Sequence, residues 1–110
     1  MTKISNATFN GKVGTYNFEV YSLDTAFNAV GGVYIFTKRT VAPGGHGTHD
    51  LLYIGETESF RDRIPNHEKR PCVDRNGANC ICLHRDDTEA SRIRKETDLR
   101  LTNSTPCNDQ

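Results

Sequence analysis

The sequence has no excess charge of either sign, since its 14 Lys and Arg residues equal its 14 Asp and Glu residues in number. A neutral chain has no overall positive field to attract nucleic acid, so any such binding must come from a local basic patch. No apolar run approaches the length of a membrane span, and the N-terminus lacks the basic and then apolar pattern of a secretory signal. The sequence therefore predicts a soluble, cytoplasmic protein.

Cysteine is sparse as well, with four residues, and the chain is not a small, disulfide-dense secreted scaffold. Reduced thiols are therefore expected. No two cysteines have the two-residue gap that is usual in structural zinc sites, so a zinc site is the less favoured alternative. That alternative would use Cys72, Cys80, Cys82 and His84. Alternation along a strand would instead place Cys80 and Cys82 on one face and Ile81 on the other.

Neither a linker nor a repeat divides the chain. Its 110 residues contain no low-complexity tract and no shift in composition that would mark a domain boundary. A chain of this length can bury one modest apolar core. One compact domain is therefore expected.

The most informative stretch begins with a strand-forming apolar run, residues 51–54, which ends at Gly55. The charged segment that follows can form a helix, and a helix would place Arg63 and His67, four residues apart, on one face. Pro65 lies between them and would kink a helix interior. The pattern predicts a strand, a glycine turn and a helix that bring phosphate-handling side chains into one region.

Other segments complete a mixed pattern of strands and helices. Residues 1–6 are expected to be loose, and the Asn-Gly pair at residues 10 and 11 predicts a tight hairpin turn. Residues 33–38 and 78–84 have the composition of strands, and residues 88–101 that of a helix that packs on the sheet. The helix positions expected to face the sheet are Ala90, Ile93, Thr97 and Leu101.

Two segments are predicted as loops. Residues 39–50 are rich in Gly and include Pro, which favours a long flexible connection. Substrate contact by His46 or His49 in that connection is the alternative interpretation. Residues 71–77 form the second predicted loop, between the helical segment and the third strand.

Two short motifs give the chain a resemblance to a known family. The first is Gly32-Val33-Tyr34 and the second is Tyr53-Ile54-Gly55, and together they resemble the GIY-YIG endonuclease family. Four more positions follow in the family's order, so that the resemblance covers roughly residues 31–108. These positions are Arg63, His67, Glu96 and Asn108.

The resemblance implies an α/β (α+β) fold, in which helices flank a small, central and mainly antiparallel β-sheet. Residues 31–110 would form a GIY-YIG-like nuclease domain. Residues 1–30 lie outside the resemblance and are expected to form an N-terminal β-hairpin packed on this core, so that the two parts form one compact domain. The hairpin would add strands to the sheet, cover one of its edges or form a dimer contact.

The resemblance also implies a chemistry, which is metal-dependent hydrolysis of DNA phosphodiester bonds. Tyr34 would deprotonate the attacking water, with support from Tyr53 and His67. Arg63 offers a planar donor fork for two phosphate oxygens, and Glu96 offers a hard oxygen ligand for Mg²⁺ or Mn²⁺. A late asparagine would brace the site through side-chain hydrogen bonds. The residues assigned to the site are Tyr34, Tyr53, Arg63, His67, Glu96 and Asn108.

DNA is the partner that this chemistry requires. Each basic contact to a phosphate adds affinity, and the residues expected to supply such contacts are Arg61, Lys69, Arg70 and Arg92. A homodimer or a recognition partner would supply specificity. The alternative is a non-catalytic module that binds nucleic acid or protein on the same fold.

Overall fold

Residues 3–108 form five strands and three helices, as a computed structural model of the chain describes. The strands are β1 (Lys3–Asn10), β2 (Thr15–Ser22), β3 (Gly32–Val41), β4 (Gly47–Thr57) and β5 (Cys80–Arg85), and the helices are α1 (Phe60–Arg63), α2 (Arg70–Arg75) and α3 (Glu89–Thr102). The strands form one curled antiparallel sheet in the order β1-β2-β5-β3-β4. The expected α+β class, an antiparallel sheet with helices packed on it, is confirmed. Within these residues no helix is both long and apolar enough to cross a membrane.

β1 and β2 are antiparallel neighbours, but the turn between them is not the predicted one. The four residues Gly11–Gly14 join the strands, and the backbone N–H of Gly11 donates to the C=O of Gly14 at 2.7 Å. Asp98 on α3 accepts hydrogen bonds from the N–H groups of Val13 and Gly14, each at 2.9 Å. A contact with α3 therefore shapes this connection, and a tight turn centred on Asn-Gly was wrong. Residues 3–6, expected to be loose, belong to β1, while residues 1 and 2 lie outside the described residues.

β3 and β4 are longer than expected, because their ladder continues into the predicted loop. Residues 39–41 pair with residues 47–49, so the connection is only residues 42–46. The backbone N–H of Ala42 donates to the C=O of His46 at 2.8 Å, and Gly45 supplies the positive φ of 83° that the turn requires. The long flexible loop was therefore a wrong prediction.

Apolar side chains are buried on both faces of the sheet. One cluster, called here the tyrosine-face core, packs with α1 and α2 and includes Tyr34, Phe36, Phe60, Ile64, Val73, Ile81 and Leu83. The other cluster, called here the α3-face core, includes Phe18, Val20, Val33, Ile35, Ile54, Cys80, Cys82 and Leu99. The two cysteines of β5 thus lie on the face opposite Ile81, and this predicted alternation is confirmed.

Two prolines define the helices between β4 and β5. α1 starts after the N-cap residue Ser59 and ends before Pro65, which cannot continue a helix without the loss of a hydrogen bond. Residues 71–77 were expected to form a loop, but most of them belong to α2. Pro71 lies in the first turn of α2, where its missing N–H has no helical partner to lose.

α3 begins and ends within one residue of the predicted helix, but it turns a different face to the sheet. The four residues expected to pack are exposed, among them Ile93 at 47% and Leu101 at 65%. The buried positions are Arg92, Asp98 and Leu99. The assignment of the apolar stripe was wrong, because hydrogen-bonded charged groups occupy positions that apolar periodicity gives to hydrophobic residues.

Cys72 on α2 and Cys107 form a disulfide across 35 residues of sequence. The expectation of reduced thiols was therefore wrong for this pair, and the alternative zinc site that included Cys72 was wrong with it. Cys80 and Cys82 are free and buried. The spacing along the chain gave no sign of the bridge, since only the fold brings the C-terminal segment against α2.

Candidate active site

Tyr34 and Tyr53 lie on neighbouring strands, and their rings stack on the tyrosine face with a centroid distance of 6.1 Å. Tyr34 on β3 is opposite Gly55 on β4. A Cβ atom at position 55 would lie 2.6 Å from the Tyr34 ring and 2.8 Å from the Tyr53 ring, closer than real Cβ contacts come. Glycine at position 55 therefore allows both rings to lie over β4.

His67 contacts the phenol oxygen of Tyr34 through its Nε2 atom, at 2.6 Å. Both side chains are buried, with 3% and 1% of their surface exposed. The other ring nitrogen, Nδ1, accepts a hydrogen bond from the backbone N–H of Lys69 at 3.0 Å. A neutral imidazole has one N–H, so the proton lies on Nε2. His67 is thus the donor and the Tyr34 oxygen is the acceptor.

Burial keeps both members of this pair uncharged. It lowers the pKa of His67 to about 4, and the positive charge of Arg63 adds to that effect. Burial also raises the pKa of Tyr34 above its ordinary value of 10.0; Tyr53 adds to the rise and Arg63 opposes it. At neutral pH the pair is therefore a phenol and a neutral imidazole.

Arg63 lies at the end of α1 near the same phenol, and its positive charge acts against the rise in the pKa of Tyr34 that burial causes. Its Nη2 atom also donates to Oε1 of Glu68 at 2.8 Å. This contact is the main cause of the raised pKa of Arg63. The Arg63 side chain is 34% exposed, and Glu68 is more exposed still. The Arg63 guanidinium, which could bind a phosphate, is therefore bound to the Glu68 carboxylate.

The C-terminal segment binds to the outer edge of β4. The backbone N–H of Cys107 donates to the C=O of Leu52 at 3.0 Å. The Asn108 side chain accepts from the N–H of Ile54 and donates to its C=O, each at 2.9 Å. Asn108 therefore fixes the backbone next to Tyr53.

Glu96 lies further along the same edge. Its carboxyl group lies close to Glu56, two residues beyond Ile54 in β4. Burial raises the pKa of Glu96; Arg100, whose Nη1 atom is 3.8 Å away, opposes the rise, and the Glu56 carboxylate adds to it. Two carboxyl groups thus lie next to each other where α3 meets β4.

The six residues assigned to the site fall into two groups. Tyr34, Tyr53, Arg63 and His67 form a contact cluster on the tyrosine face. Glu96 and Asn108 lie at the outer edge of β4, where Glu96 is close to Glu56 and Asn108 is bonded to the backbone of Ile54. β4 is common to both groups, since it carries Tyr53 and provides that edge.

Sequence reasoning missed two acidic residues, Glu56 and Glu68. Glu56 points to the α3 face, and its carboxylate accepts a hydrogen bond from Nε of Arg92 at 3.0 Å. One signal could have found it, because Glu56 is two strand positions after Ile54 and so shares its face. Glu68 gave no signal other than its position next to His67.

The four basic residues expected to contact DNA have different surroundings. Arg61 has a 63% exposed side chain. Arg70 is paired with Asp74, with 3.0 Å between Nε and Oδ1. Lys69 donates its backbone N–H to His67. Arg92 is only 5% exposed and is bound to Glu56, so its guanidinium is directed inward.

The chain matches no family model, no curated protein and no solved structure. The case for a function therefore depends on the motif residues and on the geometry around them.

Proposed function

We propose that this chain is a divalent-metal-dependent endonuclease that hydrolyses DNA phosphodiester bonds at a GIY-YIG-type active site. The observation that carries the proposal is the buried hydrogen bond from His67 Nε2–H to the Tyr34 oxygen, with Arg63 beside it. A hydrogen-bond donor and a nearby positive charge at one phenol oxygen form an arrangement that stabilises a phenolate.

Tyr34 is the general base in this proposal. A phenolate at position 34 accepts a proton from the attacking water, and the water oxygen then bonds to phosphorus as the leaving oxygen departs. The Nε2–H of His67 and the Arg63 guanidinium stabilise the negative oxygen before the transfer. Because burial raises the pKa of Tyr34, the phenolate is scarce at rest but strongly basic once formed.

Arg63 is the phosphate-binding residue. Its fork matches two phosphate oxygens, and the carboxylate of Glu68 already occupies one of its N–H groups as an anion would. A substrate phosphate replaces Glu68, which is exposed and can turn into solvent.

Glu96 has the chemistry that a Mg²⁺ site requires. It is an oxygen ligand with a raised pKa, and the nearby Glu56 carboxylate contributes to that rise, which a cation would reverse. Mg²⁺ is commonly held by one or two carboxylates, with waters and substrate phosphate as the remaining ligands. Glu96, with Glu56 beside it, would hold the ion, whose charge would offset that of the phosphate. The proposed position of the phosphate is the edge of β4 at Gly55, because that glycine lies between Tyr53 and Glu56 in the strand.

The proposed DNA-binding surface surrounds α1 and α2. Arg61, Lys69 and Arg70 lie there near Arg63, and neutralisation of phosphates by such residues supplies most of the sequence-independent affinity. Arg92 is given no DNA contact, since it would have to leave Glu56 and a buried position to reach a phosphate.

The test is cleavage of supercoiled, linear, single-stranded and branched DNA with Mg²⁺, Mn²⁺ or a chelator. Tyr34→Phe and Glu96→Gln should each reduce the rate by about 10²-fold or more. The matched controls are Tyr21→Phe, whose hydroxyl bonds to Glu19 on an exposed surface, and Glu89→Gln in the exposed first turn of α3. Cleavage without a metal ion would contradict the proposal. So would a Tyr34→Phe or Glu96→Gln protein that cuts DNA as fast as its matched control.

A non-catalytic binding module is the second candidate, and one observation favours it. Tyr34 is only 1% exposed, so its oxygen has little access to an attacking water. This candidate requires that the wild type binds DNA without cutting any of the four substrates. Arg63→Glu would then abolish binding, while Glu96→Gln would leave it unchanged.

A further inference from the structure

A groove of about 670 Å³ lies between β1 and the β3–β4 hairpin, away from the tyrosine cluster. β1 and β4 are the two edge strands of the sheet, and residues of both line this one groove. Its polar side chains include Asn6, Thr8, Arg39, His46, Thr48 and His49. No Asp or Glu is among the residues that line it. The groove therefore has hydrogen-bonding groups and a cation but no carboxylate to repel an anion.

Arg39 is the fixed cation of this groove. Its backbone forms two hydrogen bonds with the Asn79 side chain, at 2.7 and 3.0 Å, which hold the strand at this position. Its guanidinium lies over Gly47, where a Cβ atom would be 3.2 Å from Nε. Among residues 3–108 no carboxylate forms an ion pair with it. A cation so placed remains available to an anionic ligand.

The two faces of the β3–β4 hairpin have different charges near the groove. Lys38 and Arg39 are consecutive, so their side chains leave opposite faces of β3. Lys38 is opposite Asp50 in the ladder, whereas Arg39 is opposite His49. Nδ1 of His49 is fixed 2.9 Å from the Thr37 hydroxyl, and burial, with the charge of Arg39 adding to it, lowers the pKa of His49. At neutral pH His49 therefore contributes hydrogen bonds, and Arg39 contributes the charge.

We propose that this groove binds a segment of single-stranded DNA, with one phosphate on Arg39. Single-stranded nucleic acid binds in positively charged grooves that follow its backbone, and this groove has the volume of a small-ligand site. The hydroxyl and amide groups of the lining supply donors for neighbouring phosphates and sugars. The choice of DNA rests on the proposed nuclease function.

The position of the groove relates it to the proposed site. Arg39 follows Tyr34 by five residues in β3, a distance of about 17 Å along the strand. The outer edge of β4 borders the groove at residues 47–51 and the proposed phosphate position at Gly55. Cys107 and Asn108 cover the edge of β4 at Leu52 and Ile54, so a strand held on Arg39 would have to pass over this C-terminal segment to reach the site of cleavage.

The test is the binding of a fluorescein-labelled dT12 oligonucleotide, measured by anisotropy with chelator present so that no cleavage occurs. Arg39→Gln should weaken binding about tenfold, the expected loss for one charge-assisted phosphate contact. It should also reduce the slope of log K against log salt by about 0.7. Lys38→Gln is the matched control, because it removes the same charge from the adjacent position on the other face, and its binding should equal that of the wild type.

A second measurement locates the DNA. Backbone amide chemical shifts of residues 5–9 and 45–51 should move when dT12 is added, and those in Arg39→Gln should move less. Equal binding by the two variants, or shifts confined to α1 and α2, would overturn the proposal. So would an extended acidic peptide or a duplex that bound more tightly than dT12 and lost affinity in Arg39→Gln. If dT12 binds in the groove but no substrate is cut, the proposed nuclease function is rejected and the proposed groove site is kept. If DNA is cut but Arg39→Gln and Lys38→Gln bind dT12 equally well, only the groove site is rejected.

Discussion

The oxygen of Tyr34 accepts a hydrogen bond from Nε2–H of His67 at 2.6 Å because the backbone N–H of Lys69 occupies the other ring nitrogen. The Lys69 amide thus determines that the proton of the buried His67 ring lies on Nε2. The His67 donor and Arg63 both act on an oxygen whose ionisation the burial opposes. The proposed general-base role of Tyr34 depends on how far His67 and Arg63 offset this effect of burial.

The first prediction concerns the donor role of His67. His67→Gln can retain an N–H donor near the Nε2 position, whereas His67→Asn retains only an acceptor for the Lys69 amide. We expect His67→Asn to lower the cleavage rate by about 10²-fold or more and His67→Gln to lower it less. Single-turnover rates of the two variants check this order. Equal rates would mean that His67 only fills space beside the phenol.

The second prediction is a loss of stability in acid. The pKa of His67 is lowered from 6.5 to about 4 in the folded protein, so between these values the unfolded chain binds the extra proton. Stability should be unaffected by this group above pH 6.5, fall as the pH drops toward 4, and then level off, with a total loss of up to about 3 kcal/mol.

Urea midpoints at a series of pH values, for wild type and His67→Gln, measure this loss. The pKa of His49 is lowered as well, so the difference between the two proteins isolates the part that belongs to His67. Parallel curves for the two proteins would show that His67 titrates normally.

The third prediction concerns Glu68, which holds Arg63 at 2.8 Å. Glu68→Gln removes the competing charge, so the substrate phosphate should bind more tightly. Exposed ion pairs are weak, so we expect KM to fall by only about threefold, with little change in kcat. Asp74→Asn, which opens the comparable pair with Arg70, is the control and should not lower KM. An increase in KM for Glu68→Gln would mean that the pair positions Arg63 and does not compete for it.

Local rules predicted much of the fold. Alternating and continuous apolar runs gave the first part of β3, the middle of β4, β5 and the extent of α3. They failed where a distant contact decided the outcome: Asp98 shapes the β1–β2 connection, and hydrogen bonds, not apolar periodicity, determine the buried face of α3. The end of β3 and the start of β4 were missed because glycine and proline suggested a loop where strand pairing continues as far as Gly47. The glycine turn predicted at Gly55 was wrong, since β4 continues through Gly55 to Thr57.

The candidate site, like the fold, was predicted only in part from the sequence. The motif selected Tyr34, Tyr53, Arg63 and His67, and the fold brings these four into contact. No spacing rule could find Glu68 on Arg63, the tautomer of His67, or the edge of β4 that receives Asn108. Those features depend on where the chain returns after a turn or a helix, which sequence periodicity does not describe.

The fourth prediction concerns the disulfide between Cys72 and Cys107. It closes a 35-residue loop and holds the segment whose Asn108 side chain bonds to Ile54. Loss of such a cross-link should lower the free energy of unfolding by about 3–4 kcal/mol. Exchange of the Ile54 amide hydrogen, which Asn108 accepts, should become faster under reducing conditions. The Cys72→Ala, Cys107→Ala double variant is the control, because reductant should then have no effect. Unchanged exchange in the reduced wild type would contradict a bracing role for the bridge.

The fifth prediction concerns Gly55, which lies beneath the rings of Tyr34 and Tyr53. A Cβ atom there would be 2.6 Å from Tyr34, and that ring is confined in a core, so Gly55→Ala must displace it. We expect a loss of stability of about 1–3 kcal/mol and a weakened bond between Tyr34 and His67. Gly44→Ala is the control, since position 44 has open space around it and no positive φ, and its stability should change by less than about 0.5 kcal/mol. Urea midpoints and the NMR signal of the His67 Nε2 proton measure both effects. A Gly55→Ala protein with wild-type stability and an unshifted Nε2 proton would show that the rings do not need the glycine.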